Sequence, residues 1–110
     1  MARTVLAVVD DMFFQAKIRA VAEAVGAQVS FPRTKEALLE KARQADLVIV
    51  DLQNQKIDPL TLPSELGAIR LLGFFSHVEV ELQRSAVAAG YEQVMPRSVF
   101  VRDLAGILSK

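Results

Sequence analysis

The chain has no cysteine, which excludes disulfides, thiol catalysis and cysteine-ligated zinc. Its single histidine excludes a histidine-rich metal site. No apolar run approaches the ~20 residues needed to span a bilayer. The N-terminus enters a strand-like run within a few residues, so no signal peptide is expected. An excess of one charge is also missing. Thirteen basic residues cancel thirteen acidic ones, so no overall field draws the chain to nucleic acid or an anionic membrane. No glycine-rich phosphate loop follows the first apolar run, where Asp10-Asp11-Met12-Phe13-Phe14 stands instead. This speaks against a small-ligand domain that binds nucleotides or other small anions without a metal. What remains is strongly apolar: 52% of the 110 residues are hydrophobic, and the mean hydropathy is +0.29. A sheet covered on both faces by helices has that composition. The expectation is a single cytoplasmic domain over residues 1–110, monomeric or weakly self-associating.

Two apolar runs end in carboxylates. Thr4-Val5-Leu6-Ala7-Val8-Val9 leads into Asp10-Asp11, and Leu47-Val48-Ile49-Val50 leads into Asp51. Short valine-rich runs read as strands buried on both faces, so each acid emerges at a strand's carboxyl end. Ligands sit at that edge of open α/β sheets. Carboxylates gathered there repel one another unless a cation or proton neutralises them. Oxygen-only donors suit Mg²⁺, which takes one or two carboxylates and keeps several waters. The bland alternative is that these acids cap the following helices or face water.

Helix and strand signals alternate along the rest of the chain. Phe14, Ile18, Val21 and Val25 mark a helical face that Gly26 ends in the left-handed position. Ala27 to Phe31 reads as a short strand, and Thr34 as the cap of a second helix. Residues 53–63 are irregular, with Pro59 and Pro63 breaking them, and a turn or two of helix follows. Ile69 to Phe75 reads as a fourth strand, and Val78, Leu82, Ala86 and Ala89 as a helical face. A strand at Gln93 to Met95 precedes a last helix with Phe100, Leu104 and Ile107 inward. Five strands alternating with helices predict an α/β fold with a doubly wound, five-stranded parallel sheet and right-handed crossovers.

In order, Val8-Val9-Asp10-Asp11, Val48-Ile49-Val50-Asp51-Leu52, Ser76 and Met95-Pro96-Arg97 resemble the receiver domain of two-component response regulators. The resemblance covers essentially the whole chain. It implies the flavodoxin-like strand order 2-1-3-4-5. It also implies Mg²⁺ held by Asp10, Asp11, Asp51 and the backbone carbonyl of Gln53. Asp51 becomes the phosphoacceptor for a histidine kinase, Ser76 a hydroxyl donor to the phosphoryl group, and Arg97 its basic partner. Such a module is not an enzyme beyond its own phosphorylation and dephosphorylation. Without an output domain of its own it acts through protein partners. A metal-dependent phosphohydrolase is the rival with Asp51 as nucleophile, but Gln53 stands where its acid/base aspartate belongs.

The departures from that family point to an atypical or pseudo-receiver that signals with little or no phosphorylation. Arg97 replaces lysine, and its planar fork does not fill the place of an ammonium. Ser98 replaces a proline whose cis bond shapes the loop. His77 stands where a small residue gives access to the aspartate, and is expected as a partly exposed plug. Val94 replaces the aromatic that reorients on activation. The loop Gln53-Asn54-Gln55-Lys56 lacks the family's Met-Pro and later glycine, and the third helix is expected to be truncated. Phe13 lies off the first helix's inward face, packed under a loop or offered to a partner. Val80, Val87 and Val101 are expected off their helices' inward faces.

Overall fold

The apolar runs become strands. In the computed structural model, residues 3–54 and 56–109 are described. Gln55, within the irregular stretch, lies outside the described residues. Strands β1 (Thr4–Val8), β2 (Gln28–Ser30), β3 (Leu47–Asp51), β4 (Leu71–Phe75) and β5 (Gln93–Pro96) form one sheet in the order β2-β1-β3-β4-β5. Every adjacent pair is parallel. Helices α1 (Met12–Val25), α2 (Lys35–Ala42), α3 (Leu62–Leu66), α4 (Val80–Ala89) and α5 (Arg97–Ser109) alternate with the strands. No helix among the described residues is long and apolar enough to cross a membrane.

The two-residue period of a strand divides the core in two. Val5, Ala7, Val9, Leu47, Ile49, Leu72 and Phe74 pack with Phe14, Ile18 and Ala22 of α1 and Phe100, Leu104 and Leu108 of α5. Leu6, Val8, Val48, Val50, Leu52 and Leu71 face the other way, onto Leu38, Leu62, Leu66 and Ala86 of α2, α3 and α4. Helix ends follow local chemistry. Gly26 closes α1 at φ 77°, and the Thr34 hydroxyl accepts from the Ala37 amide at 3.1 Å. The irregular stretch is tied down by the buried Tyr91, whose hydroxyl donates to the Pro59 carbonyl at 2.6 Å.

Several boundaries differ from the sequence reading. Glu79 is extended, so α4 begins only at Val80, and Val78 is 77% exposed instead of facing the core. In α5 the third inward residue is Leu108, with Ile107 only partly buried, and Val101 packs against the first core cluster. Val80 and Val87 are exposed. Helix α3 has five residues, the short helix the sequence predicts.

Gly73 couples the core to the carboxyl edge of the sheet. A Cβ placed there would lie 2.7–2.9 Å from three side-chain atoms of Leu52, the residue after Asp51. Leu52 is buried and has little room to give. Gly73→Ala is therefore expected to destabilise the fold by about 1–3 kcal/mol through overpacking. Urea denaturation checks this, and an unchanged midpoint would contradict it.

Candidate functional site

Parallel pairing brings the predicted carboxylates to one edge of the sheet. Val8 pairs with Val50, and Asp51, the next residue, pairs with Phe74 on β4. Asp51 is half-buried, and its Oδ1 accepts the Gln53 amide at 2.9 Å. Burial pushes the Asp51 carboxyl above its ordinary value of 3.8. The Gln53 hydrogen bond and the Arg97 charge oppose that rise, while the Asp10 carboxylate adds to it. Asp10 and Arg97 thus both act electrostatically on Asp51.

Asp10 and Asp11 are exposed and differently engaged. Asp10 Oδ2 lies 3.6 Å from Lys56 Nζ, a solvated contact worth little by itself. Asp11 is the N-cap of α1, where its Oδ1 accepts the amides of Phe13 at 2.9 Å and Phe14 at 3.2 Å. For Asp11 the helix-capping role is therefore real. Among the described residues, no three histidine, cysteine, aspartate or glutamate side chains form a group able to hold a metal ion. Any cation here needs main-chain, water or phosphoryl oxygens as well.

Arg97 opens α5. Its guanidinium carbon lies 3.9 Å from the centroid of the Phe14 ring, and Nη2 lies 3.8 Å from Asp11 Oδ2. Cation–π attraction and the neighbouring acid hold it along the wall of the site. There it supplies a permanent positive charge, because arginine does not deprotonate. The described peptide bonds are all trans, including those flanking Arg97.

The least anticipated feature is the Gln53 side chain. Its Oε1 accepts the Ser76 amide at 2.8 Å and the His77 amide at 3.1 Å. Its Nε2 donates to the His77 carbonyl at 2.7 Å and to Glu79 Oε1 at 3.1 Å. The sequence pointed to Gln53 through its backbone carbonyl and as the residue in place of a phosphohydrolase's acid/base aspartate, not through these side-chain contacts. Ser76 and His77 are exposed, and His77 is held through its main chain. The sequence also missed Glu79 and the contact of Phe14 with Arg97. A polar glutamine two residues past a strand-end aspartate was the only visible signal.

No protein-family model and no curated protein matches the sequence. Solved structures do match. A response regulator from Hahella chejuensis aligns with a TM-score of 0.84 at 21% identity, over 98% of this chain and 93% of that one. The chemotaxis response regulator CheY4 of Vibrio cholerae aligns with a TM-score of 0.77 at 18% identity, over 98% of this chain and 97% of its own. A Burkholderia pseudomallei response regulator protein, solved with a phosphorylated aspartic acid, calcium ion and citrate, aligns with a TM-score of 0.79 at 20% identity, over 96% of this chain and 66% of its own. The fold is that of response-regulator receiver domains.

In the receiver fold the carboxyl ends of β1, β3, β4 and β5 share one edge, and here Asp10, Asp11, Asp51, Ser76 and Arg97 stand at or just beyond those ends. Phe13, beside this edge, is 89% exposed, so it is not packed under a neighbouring loop. A pH dependence follows from Asp51. Its folded-state pKa is raised, so ionisation costs stability above that pKa, and the cost disappears as pH falls to 3.8. In magnesium-free buffer, Asp51→Asn is therefore expected to melt higher than the wild type at neutral pH. Thermal scans should show that advantage fading in acid, and an advantage that grows in acid would contradict the account.

Proposed function

We propose that this chain is a receiver-like signalling module in which Asp51 accepts a phosphoryl group. The observation that carries this reading is the setting of Asp51. It is a half-buried carboxylate at the carboxyl end of β3, acted on by the Asp10 charge and the fixed Arg97 cation. Oδ1 is held by the Gln53 amide, leaving Oδ2 as the nucleophile. Oδ2 forms a bond to phosphorus as the bond to the donor's leaving group breaks. The product is an acyl phosphate, and water later returns the carboxylate and inorganic phosphate. Arg97 offsets the charge gathering at the site, and the Ser76 hydroxyl is the donor available on the neighbouring loop.

The donor set fits Mg²⁺. It is all oxygen, and Asp10 and Asp51 lie close enough for one to raise the other's pKa, a repulsion that a divalent cation relieves. Asp10, Asp51 and the Gln53 carbonyl would hold it with waters completing the shell, while Asp11 is engaged by its helix cap through Oδ1 and by Arg97 through Oδ2. When bound, the ion screens the approaching phosphoryl anion from the carboxylates. Partners are a histidine kinase as donor and a downstream protein as reader, with no nucleic acid or membrane contact of the module's own. The module works in the cytoplasm as a monomer or weak homodimer.

Incubation with Mg²⁺ and acetyl phosphate tests the reading. Intact-mass analysis should show one added phosphoryl group, removed by hydroxylamine and absent from Asp51→Asn. A folded wild type that gains no mass would remove the phosphorylation reading. The second reading, a phosphorylation-independent pseudo-receiver scaffold, would then stand. It is favoured by the Gln53 contacts, which fix the Ser76 loop without any phosphoryl group.

A further inference from the structure

We infer that the Gln53 side chain is a built-in latch that sets the position of the Ser76–Glu79 loop and competes with a phosphoryl group for that loop's amides. A primary carboxamide has two acceptor lone pairs and two donors. Gln53 uses all four, two on the Ser76 and His77 amides and two on the His77 carbonyl and the Glu79 carboxylate. This complete pairing joins the loop after β3 to the loop after β4, across 23 to 26 residues of sequence.

The location gives the latch its consequence. Ser76 lies two residues beyond Phe74, the register partner of Asp51. The same Gln53 residue donates its own amide to Asp51 Oδ1. The Ser76 and His77 amides therefore sit beside the acceptor and are already occupied by a neutral carbonyl oxygen. Anionic phosphoryl oxygens are stronger acceptors than an amide carbonyl, so they compete for those amides. Displacing the carboxamide would also free Nε2 from Glu79, the residue immediately before α4. The exposed Val78 and Val80 lie on either side of Glu79, so the latch also fixes the surface they present. With the latch closed, the loop holds one arrangement in the unphosphorylated protein, and phosphorylation must open it.

This inference rests on the Asp51 reading for its second arm only. The first arm is hydrogen exchange of the full chain with no phosphoryl mimic. In Gln53→Ala and in the shorter Gln53→Asn, the Ser76 and His77 amides should exchange about tenfold faster than in the wild type. Amides of Leu71–Phe75 should keep their protection, showing the sheet intact. The second arm is titration with beryllofluoride and Mg²⁺, where Gln53→Ala should reach half-saturation at a concentration severalfold lower than the wild type. Equal exchange at Ser76 and His77, or equal half-saturation, overturns the latch. If exchange differs and neither protein responds to beryllofluoride, the latch stands and the phosphoacceptor reading falls.

Discussion

Phe100→Ala is expected to lower the unfolding free energy by about 3–5 kcal/mol, the range for deleting a buried phenyl group. Phe100 is fully buried on α5 and stacks on Phe74 with centroids 4.9 Å apart and planes 9° apart. It meets Phe14 edge-on at 5.8 Å, and Phe14 meets Phe74 edge-on at 5.5 Å. The three rings join α1, β4 and α5, so removing one leaves a void between elements that cannot close independently. The loss reaches the functional edge, because Phe14 supports the Arg97 guanidinium at 3.9 Å. Urea denaturation at an unchanged slope measures the effect. A loss below about 1 kcal/mol would show that the helices collapse onto the gap.

Asp51→Asn is expected to abolish any response to a phosphoryl donor or mimic while keeping the fold. Asparagine retains a carbonyl oxygen that can accept the Gln53 amide now bound by Oδ1. It lacks the anionic oxygen that the proposed phosphoryl transfer requires, and it removes one of the charges that would hold Mg²⁺. Arg97 loses an opposing charge near the pocket, and Asp10 loses a like-charged neighbour. The substitution thus separates chemistry from scaffold: phosphoryl transfer is lost, and thermal stability at neutral pH in magnesium-free buffer is raised. Residual mass gain on treatment with acetyl phosphate would place the acceptor elsewhere.

The architecture was legible because its central strands are unbroken apolar runs. β1, β3 and β4 have no polar face, and that pattern belongs to a sheet covered on both sides. Gly26 and Thr34 marked helix ends through local backbone and capping chemistry, which acts within a few residues. Helix faces were less legible. Ile107 and Leu108 are adjacent and both apolar, and a buried stripe is wide enough to admit either, so only packing against α1 and the sheet decides. Val78 fits a helical period, but the chain is still extended at Glu79, so the helix starts too late to include it.

Within the site, the strand-end positions of Asp10, Asp11 and Asp51 followed from register. Their engagements did not. Asp11 commits one oxygen to its own helix, and Asp10 meets Lys56, a residue 46 positions away in sequence that only the folded loop delivers. Gln53 is the strongest case. Its side chain reaches the loop after β4 because β3 and β4 are adjacent in the sheet, a neighbourhood that periodicity along the chain does not reveal.

The proposed role of Asp51 as phosphoacceptor at the carboxyl edge of a receiver fold is open to a direct test. It is an amide NMR titration with Mg²⁺ and then beryllofluoride, run on the wild type and on Asp51→Asn. Saturable shifts at Asp10, Asp11, Asp51, Gln53 and Ser76 are expected in the wild type, with the Asp51→Asn spectrum unmoved by beryllofluoride. A wild-type spectrum that stays still at saturating mimic, with the fold intact, would contradict it.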